Sequence, residues 1–429
     1  MRKLAATPPL VGRITVPGDK SISHRALLLA ALASGPSTIA NANRGHDVAA
    51  TRRAIELLGA RVEESPSGLV KVEGCGGAAG MGEPSDVIDA GNSGTTLRCL
   101  AGVCAGVAGT SVLTGDASLR SRPMLRIVVP LRQMGAAIEG RRHADRAPLV
   151  IRGGELRGID HETDVASAQV KTAVLLAGLA ARGPTSVTEP RLSRDHTERM
   201  LEVAGVPVER HGTTVRIAGG TVLAGREWAV PGDISAALFM VVAATIVPGS
   251  DLIIEDVGVN PTRSAALDVL RSMGADIELA EVPEIDGEPR ARLRVRHAPL
   301  HATEVPTELA PRVIDEVPVL AVAGAIADGT TTFKGVGELR VKESDRIGSL
   351  VAGIAALGGS AAATSDELEI HGGTLGPGRV DPAGDHRIAM AFAVAALAAS
   401  GKVTVDGWSC VDTSFPGFLD TLADAQQPR

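Results

Sequence analysis

Asp19-Lys20-Ser21-Ile22-Ser23-His24-Arg25-Ala26-Leu27-Leu28-Leu29-Ala30-Ala31-Leu32-Ala33-Ser34-Gly35 decides how this chain is read. A polar, charged opening runs into an apolar stretch, closes on a glycine and leads into a short strand-like segment. The plan recurs with closing glycines Gly109, Gly183, Gly249, Gly329 and Gly401, at separations of 66 to 80 residues. Self-similarity of this kind marks a repeated supersecondary unit. Four further openings, Asn92-Ser93-Gly94, Ser167-Ala168-Gln169, Asp315-Glu316 and Asp385-His386-Arg387, also carry residue types that bind anions or do chemistry. Gly232-Asp233 reads as a plain helix cap. Buried helices that all begin with polar groups suggest several N-termini aimed at one place, and such ends bind anions.

A second signature lies between these helices: an amphipathic helix ending in glycine and running into a strand. Its glycines, Gly59, Gly135, Gly205, Gly274 and Gly358, stand where a left-handed C-cap is wanted, and 418–425 is a last copy. Each unit thus holds a buried helix, strands, an amphipathic helix and another strand. A chain of 429 residues exceeds one comfortable core, so three units per domain is the natural division, with the main crossing at Val230-Pro231-Gly232-Asp233. The strand over 12–17 fits either domain.

Composition narrows the function. Hydrophobic residues make up 44%, with Gly 50 and Pro 25, as in a globular protein rich in tight turns. No apolar run reaches the ~18 residues of a membrane span, although 236–247 and 388–400 come nearest. The amino terminus lacks the apolar core of a signal peptide. Cys75, Cys99, Cys104 and Cys410 show no metal-like or framework-like spacing, so the expectation is a reduced cytoplasmic protein with no disulfide, no bound metal and no membrane association. The net charge of −7 and the lack of Tyr, with Trp 2 and Phe 5, argue against nucleic-acid binding. Basic residues at helix starts therefore point to a small anionic ligand.

Lys20 and Arg25 flank Ser21, the expected N-cap of the first buried helix. The plainer account is a capped helix with solvated cations. Against it, the macrodipole disfavours a cation there by roughly 0.3–1 kcal/mol, and local mismatch often marks a functional site. Gly91-Asn92-Ser93-Gly94-Thr95-Thr96-Leu97-Arg98 lets a ligand approach backbone but lacks a Walker lysine. In Arg120-Ser121-Arg122-Pro123-Met124 two loop arginines read, on their own, as solvated. Ser167-Ala168-Gln169 offers neutral donors, and Ser193-Arg194-Asp195-His196 reads as a cap with a basic neighbour. Asp315 opens the fifth helix, either as its N-cap or as a base held ionised by facing cations. Lys342 and Arg346 are four apart and would share a helix face, with Glu343 adjoining. Arg387 puts another cation in a first turn.

Taken in order from residue 13 to about 420, Lys20-Ser21 with Arg25, Gly91 to Thr96, Arg122-Pro123-Met124, Ser167-Ala168-Gln169, Lys342-Glu343-Ser344-Asp345-Arg346 and Asp385-His386-Arg387 closely resemble the 5-enolpyruvylshikimate-3-phosphate synthase family. The resemblance implies an α/β enolpyruvyl transferase fold of six βαβαββ units, three per domain, with parallel buried helices. It implies a first domain of residues 1–17 plus 231–429, a second of 18–230, and an active site in the cleft between them. The implied reaction, part of the shikimate pathway, moves the enolpyruvyl group of phosphoenolpyruvate to the 5-hydroxyl of shikimate 3-phosphate. It needs no metal or organic cofactor, a monomer is expected, and glyphosate occupies the phosphoenolpyruvate site. By motif match Lys20, Ser21, Arg25, Ser167, Ala168, Gln169, Asp315 and Lys342 contact shikimate 3-phosphate. Lys20, Gly94, Arg122, Gln169, Arg346 and Arg387 hold phosphoenolpyruvate. Asp315 resembles the base for the 5-hydroxyl, and Glu343 with Lys20 the groups serving the enolpyruvyl carbon and the leaving phosphate.

Some positions depart from the enterobacterial branch. Ala168 replaces a serine, Glu338 stands where an asparagine binds substrate, and Thr413 stands where a lysine precedes the Phe415-Pro416 pair. Ser-Ala-Gln-Val-Lys and Ser-Arg-Asp-His-Thr-Glu resemble the second class of these enzymes, which makes Arg194 an additional ligand of the shikimate 3-phosphate phosphate and leaves Glu338 and Thr413 without a role. The runner-up, UDP-N-acetylglucosamine enolpyruvyl transferase, has a loop cysteine with no counterpart in Thr114 to Met124 and lacks the Lys-Glu-Ser-Asp-Arg segment. A non-catalytic anion-binding or RNA-end-processing relative would not need Asp315 and Glu343 together with the cations.

Overall fold

A helix that is apolar on every face must be surrounded by protein. Six helices of the computed structural model, which describes residues 1–426, meet that condition. They are α1 (Lys20–Leu32), α2 (Gly94–Gly106), α3 (Ala168–Ala180), α4 (Ile234–Ile246), α5 (Val317–Ile326) and α6 (His386–Ala398). All of α4 is buried. The buried apolar residues form two separate cores, one around α4, α5 and α6 and one around α1, α2 and α3. The chain divides accordingly. The first unit holds Met1–Pro17, Pro231–Glu284 and Pro289 onward, and the second holds Gly18–Val230 with the hairpin turn Ile285–Glu288. That turn is fixed within the second unit by Asp286, which accepts from Arg226 and from the Ala229 amide, and by Glu288, 2.7 Å from His196 Nδ1.

The repeat is visible in the sheets. Around α2, Ile88–Asp89 lies parallel to Gly109–Thr114, which runs antiparallel to Arg146–Gly153, itself antiparallel to Ala137–Gly140. The same order holds around α3, with Asp160–Glu162, Thr185–Thr188, Thr214–Ile217 and Val208–His211. It holds again around α5, with Glu304–Val305, Thr330–Lys334, Glu367–His371 and Ser360–Ala363. Two copies exchange their leading strands. Val11–Ile14 precedes α1 in the chain but pairs in parallel with Asp251–Gly258, which follows α4. Glu227–Ala229 precedes α4 but pairs in parallel with Ala33–Ala40, which follows α1. The exchange places the early strand, which the sequence left open, in the first unit. The sixth copy pairs Gly378–Val380 in parallel with Val403–Val405, against which the opening strand Arg2–Leu4 lies antiparallel.

The five glycines closing the amphipathic helices all have positive φ, from 77 to 119°, as a left-handed cap demands. Gly401 differs from the other closing glycines. It is absent from the left-handed set, and a Cβ there would lie 3.0 Å from Pro377, so packing rather than backbone conformation selects it. Cys75, Cys99, Cys104 and Cys410 are free thiols. Among the described residues no helix is long and apolar enough to cross a membrane.

Close approach of α2 and α3 rests on Gly102, where an added Cβ would stand 2.1 Å from the Ala173 carbonyl oxygen. Backbone cannot swing away as a side-chain tip can. We expect Gly102→Ala to lower the unfolding free energy in urea by about 1–3 kcal/mol. A change under roughly 0.5 kcal/mol, the size of an ordinary surface substitution, would mean the two helices have room to separate.

Candidate active site

In the second unit the start of α1 is capped by Asp19, whose carboxylate accepts the Ile22 amide at 2.9 Å. Ser21, the expected cap, is the second helical residue. A carboxylate one position before the helix meets both the free amides and the positive end of the dipole, which a hydroxyl inside the first turn cannot do. Lys20 Nζ lies 3.0 Å from Asp47 Oδ2, both side chains being largely buried. Asp47 sits in the first turn of His46–Leu57, and no motif in the sequence marked it.

Arg25 is 3% exposed, and its partners are neutral: Nε donates to Thr197 Oγ1 at 2.7 Å, Nη2 to Thr172 Oγ1 at 2.8 Å and Nη1 to the Ser21 carbonyl at 2.9 Å. Burial pushes its guanidinium below the ordinary range, Glu198 and Asp19 work the other way, and Arg194 adds to the fall. Arg194, half-buried, directly precedes Asp195 at the start of His196–Val203. A buried cation held only by neutral oxygens leaves its charge available to an anion.

The starts of α2 and α3 are joined by side chains. Ser93 caps α2 through the Thr96 amide at 3.1 Å, and Ser167 caps α3 through Val170 at 3.4 Å, with Ala168 the first helical residue. Gln169 donates to Thr95 Oγ1 at 3.0 Å and accepts from Arg98 Nη1 at 2.7 Å. A Cβ on Gly94 would meet Arg98 Nη1 at 2.9 Å and Arg122 Nη1 at 3.2 Å, so two guanidinium tips crowd over this helix start. Arg122 is not a solvated loop residue. It is 6% exposed, donating to Asn92 Oδ1 at 2.7 Å and Ser118 Oγ at 3.2 Å. Loop position alone could not reveal this, because the two acceptors lie on separate turns. Arg120 points elsewhere, to the Gly115 carbonyl.

In the first unit Asp315 does not cap α5. The helix begins at Val317, Glu316 occupies the cap position, and no side chain caps it. The Asp315 carboxylate instead lies 3.3 Å from Arg346 Nη1, 3.7 Å from Lys342 Nζ and 4.0 Å from Arg387 Nη2. Lys342 and Arg346 share no helix face, because Asp345 caps a helix that begins only at Arg346 and Lys342 lies before it, just after the 3-10 turn Gly337–Val341. They meet at Asp315 all the same. Arg346, 1% exposed, also holds Glu343 Oε2 at 2.6 Å and Asp385 Oδ2 at 2.7 Å. Burial opposes its charge, but Asp385, Glu343 and Asp315 outweigh that and raise its pKa still further. Asp385 is fully buried and caps α6 through the Arg387 amide. Arg387 Nη1 donates to the Asp315 carbonyl at 2.8 Å.

Gly232-Asp233 is more than a cap. Asp233 accepts the Ser235 amide and pairs with Arg263; Ser235 accepts from Arg263 and donates to Glu316; Glu316 lies 3.7 Å from Arg387. The starts of α4, α5 and α6 are thus linked by buried polar groups, as those of α1, α2 and α3 are in the other unit. The expectation of gathered helix N-termini holds within each unit. Glu338 lies in the turn Gly337–Val341 and Thr413 ends the turn Trp408–Thr413. Among the described residues no group of three or more His, Cys, Asp or Glu side chains is placed to hold a metal ion.

By fold the chain is similar to the enolpyruvyl transferase NikO from Streptomyces tendae, with a TM-score of 0.79 over 99% of this chain and 96% of that one at 19% identity. It is also similar to the solved EPSP synthase from Acinetobacter baumannii, with a TM-score of 0.88, 40% identity, and coverage of 99% and 97%. A family model described as EPSP synthase (3-phosphoshikimate 1-carboxyvinyltransferase) matches residues 4–422. Two relatives called 3-phosphoshikimate 1-carboxyvinyltransferase come from Synechococcus sp., 50% identical over 96% of this chain and 94% of that protein, and from Desulforamulus reducens, 49% identical over 97% of each. The chain belongs to the EPSP synthase family.

Arg346→Met would leave Asp385 charged and buried without its guanidinium. We expect unfolding in urea to show a loss of about 3–5 kcal/mol, the usual result of breaking a buried pair from one side. A loss below roughly 1 kcal/mol, as for an exposed pair, would mean Asp385 has another counter-charge.

Proposed function

We infer that the chain carries out the reaction for which its family is named, transferring the enolpyruvyl group of phosphoenolpyruvate to the 5-hydroxyl of shikimate 3-phosphate with release of phosphate. The observation that carries this reading is the Asp315 carboxylate, set among Arg346, Lys342 and Arg387 at 3.3 to 4.0 Å with Glu343 on the same guanidinium. A proton acceptor amid cations suits two anionic substrates, one of which must lose a hydroxyl proton.

In this reading Lys20, Ser21, Arg25, Ser167, Ala168, Gln169 and Arg194 hold shikimate 3-phosphate with Asp315 and Lys342. Lys20, Gly94, Arg122, Gln169, Arg346 and Arg387 hold phosphoenolpyruvate. The 5-hydroxyl oxygen bonds to C2 of phosphoenolpyruvate, its proton passing to Asp315, while C3 gains a proton and becomes a methyl group. Loss of a C3 proton and cleavage of the bond from C2 to the phosphate oxygen then restore the double bond. Glu343 and Lys20 serve the C3 proton and the departing phosphate. We place the enzyme in the cytoplasm as a monomer on the same resemblance.

Phosphate release from phosphoenolpyruvate is expected with shikimate 3-phosphate as acceptor and not with UDP-N-acetylglucosamine; the reverse preference would overturn the reading. Asp315→Asn keeps the shape but removes proton acceptance. Its kcat should fall by about 10² or more while calorimetry still detects shikimate 3-phosphate binding. An unchanged kcat would take Asp315 out of the chemistry.

Gly94→Ala pushes a methyl group toward the tips of Arg98 and Arg122. Both the KM for phosphoenolpyruvate and the inhibition constant of glyphosate should rise, the latter by the larger factor because glyphosate is longer. Steady-state inhibition with shikimate 3-phosphate saturating measures the ratio, and equal constants in the two proteins would move Gly94 away from the ligands.

A further inference from the structure

One buried cation of the second unit has no part in the chemistry above. Lys171, in the first turn of α3, is 1% exposed, and its Nζ lies 2.7 Å from Glu189 Oε2 and 2.7 Å from Glu198 Oε1. A buried ion triad of this kind is weak evidence for stability by itself, because desolvation consumes much of the attraction. Its geometry shows what else it does. Glu189 Oε1 accepts the Ser167 amide at 2.9 Å, while Oε2 accepts the Ser193 hydroxyl at 2.9 Å and the Ser193 amide at 3.4 Å. One carboxylate thus ties the cap of α3 to the residue immediately before Arg194. Glu198 follows Thr197, which with Thr172 clamps Arg25.

The charges explain why the ammonium is needed. Burial opposes the Lys171 charge, but Glu198 and Glu189 outweigh it and raise its pKa. Burial likewise pushes the Glu198 carboxyl up. Without the ammonium, two carboxylates would share a buried site with like charge, and at least one would take a proton or turn away. If Glu189 turned away, the three donors from Ser167 and Ser193 would lose the acceptor they share.

We propose that Lys171 is a positioning residue for shikimate 3-phosphate: through Glu189 it sets the start of α3 and the segment carrying Arg194 in the spacing that receives the phosphate group. The proposal rests on the reading that Ser167 and Arg194 are ligands of that phosphate. It differs from a stability role in a measurable way, since only one of the two substrates should feel the change.

Lys171→Met keeps the length of the side chain and removes the charge. With phosphoenolpyruvate saturating, the KM for shikimate 3-phosphate should rise about tenfold or more, while kcat and the KM for phosphoenolpyruvate stay within about twofold of wild type. Lys171→Arg, which keeps the cation, should recover most of the affinity. Because Lys171→Met risks misfolding, Ser193→Ala tests the same link more gently by deleting one hydroxyl on Glu189, and its KM for shikimate 3-phosphate should rise about threefold. An unchanged KM in Ser193→Ala, or equal effects on both substrates in a folded Lys171→Met, overturns the proposal. A wild-type protein that transfers nothing to shikimate 3-phosphate would instead overturn the functional reading on which it stands.

Discussion

Placing a cation at the first turn of a buried helix sets two costs together, the repulsion of the helix dipole and the loss of water around the charge. The rest of this structure is arranged around meeting them. The dipole term is small, roughly 0.3–1 kcal/mol. Two opposite charges ~4 Å apart at an effective dielectric of about 20 attract by roughly 4 kcal/mol, so a nearby carboxylate decides the matter. Lys20 has Asp47 and Lys171 has two glutamates, and Arg346, itself buried at the start of an amphipathic helix, has Asp315, Glu343 and Asp385. Arg25 is the exception, since threonine hydroxyls and a backbone carbonyl hold it in place without cancelling its charge.

The side chains around the helices serve the same end. Three helix starts can share side-chain contacts only if the helices come close, which needs small residues where they touch. Gly102 against the Ala173 carbonyl shows the limit of that approach in the second unit. The gathering of starts is completed by polar links that a looser packing would break, such as Gln169 reaching both Thr95 and Arg98. In the first unit Ser235 does the equivalent between Arg263 and Glu316.

Much of this was legible in the chain because the repeat writes the same signal six times: an all-apolar helix, a polar start and a glycine close. The motif residues were legible too, Lys20, Gly94, Gln169, Asp315 and Arg387 each standing at a helix start or one turn inside it. What stayed hidden depends on distant pairing. The strand Val11–Ile14 carries no mark of its partner, which follows a helix more than two hundred residues on. Asp47, a first-turn acid, and Asp385, a helix cap, are ordinary until the fold brings Lys20 and Arg346 beside them. Ser21 and Asp19 are both good caps two residues apart, so composition could not choose between them. Arg122 reads as solvated until Asn92 and Ser118 enclose it.

Arg346 and Arg387, the two motif arginines of the first unit, differ in what they can still offer. A guanidinium has five N–H donors. Arg346 makes four hydrogen bonds, to Asp385 twice and to Asp315 and Glu343, and so is largely committed to holding carboxylates in place. Among the described residues Arg387 makes one hydrogen bond, to the Asp315 carbonyl, with the Asp315 and Glu316 carboxylates farther off at 4.0 and 3.7 Å. A planar fork with donors to spare suits bidentate capture of a carboxylate or phosphate. On the reading proposed above, Arg387 has more donors left for the anionic donor substrate than Arg346, whose contacts also fix the positions of Asp315 and Glu343. That reading needs both, because an acceptor for the hydroxyl proton is useful only if its distance from the bound donor does not drift.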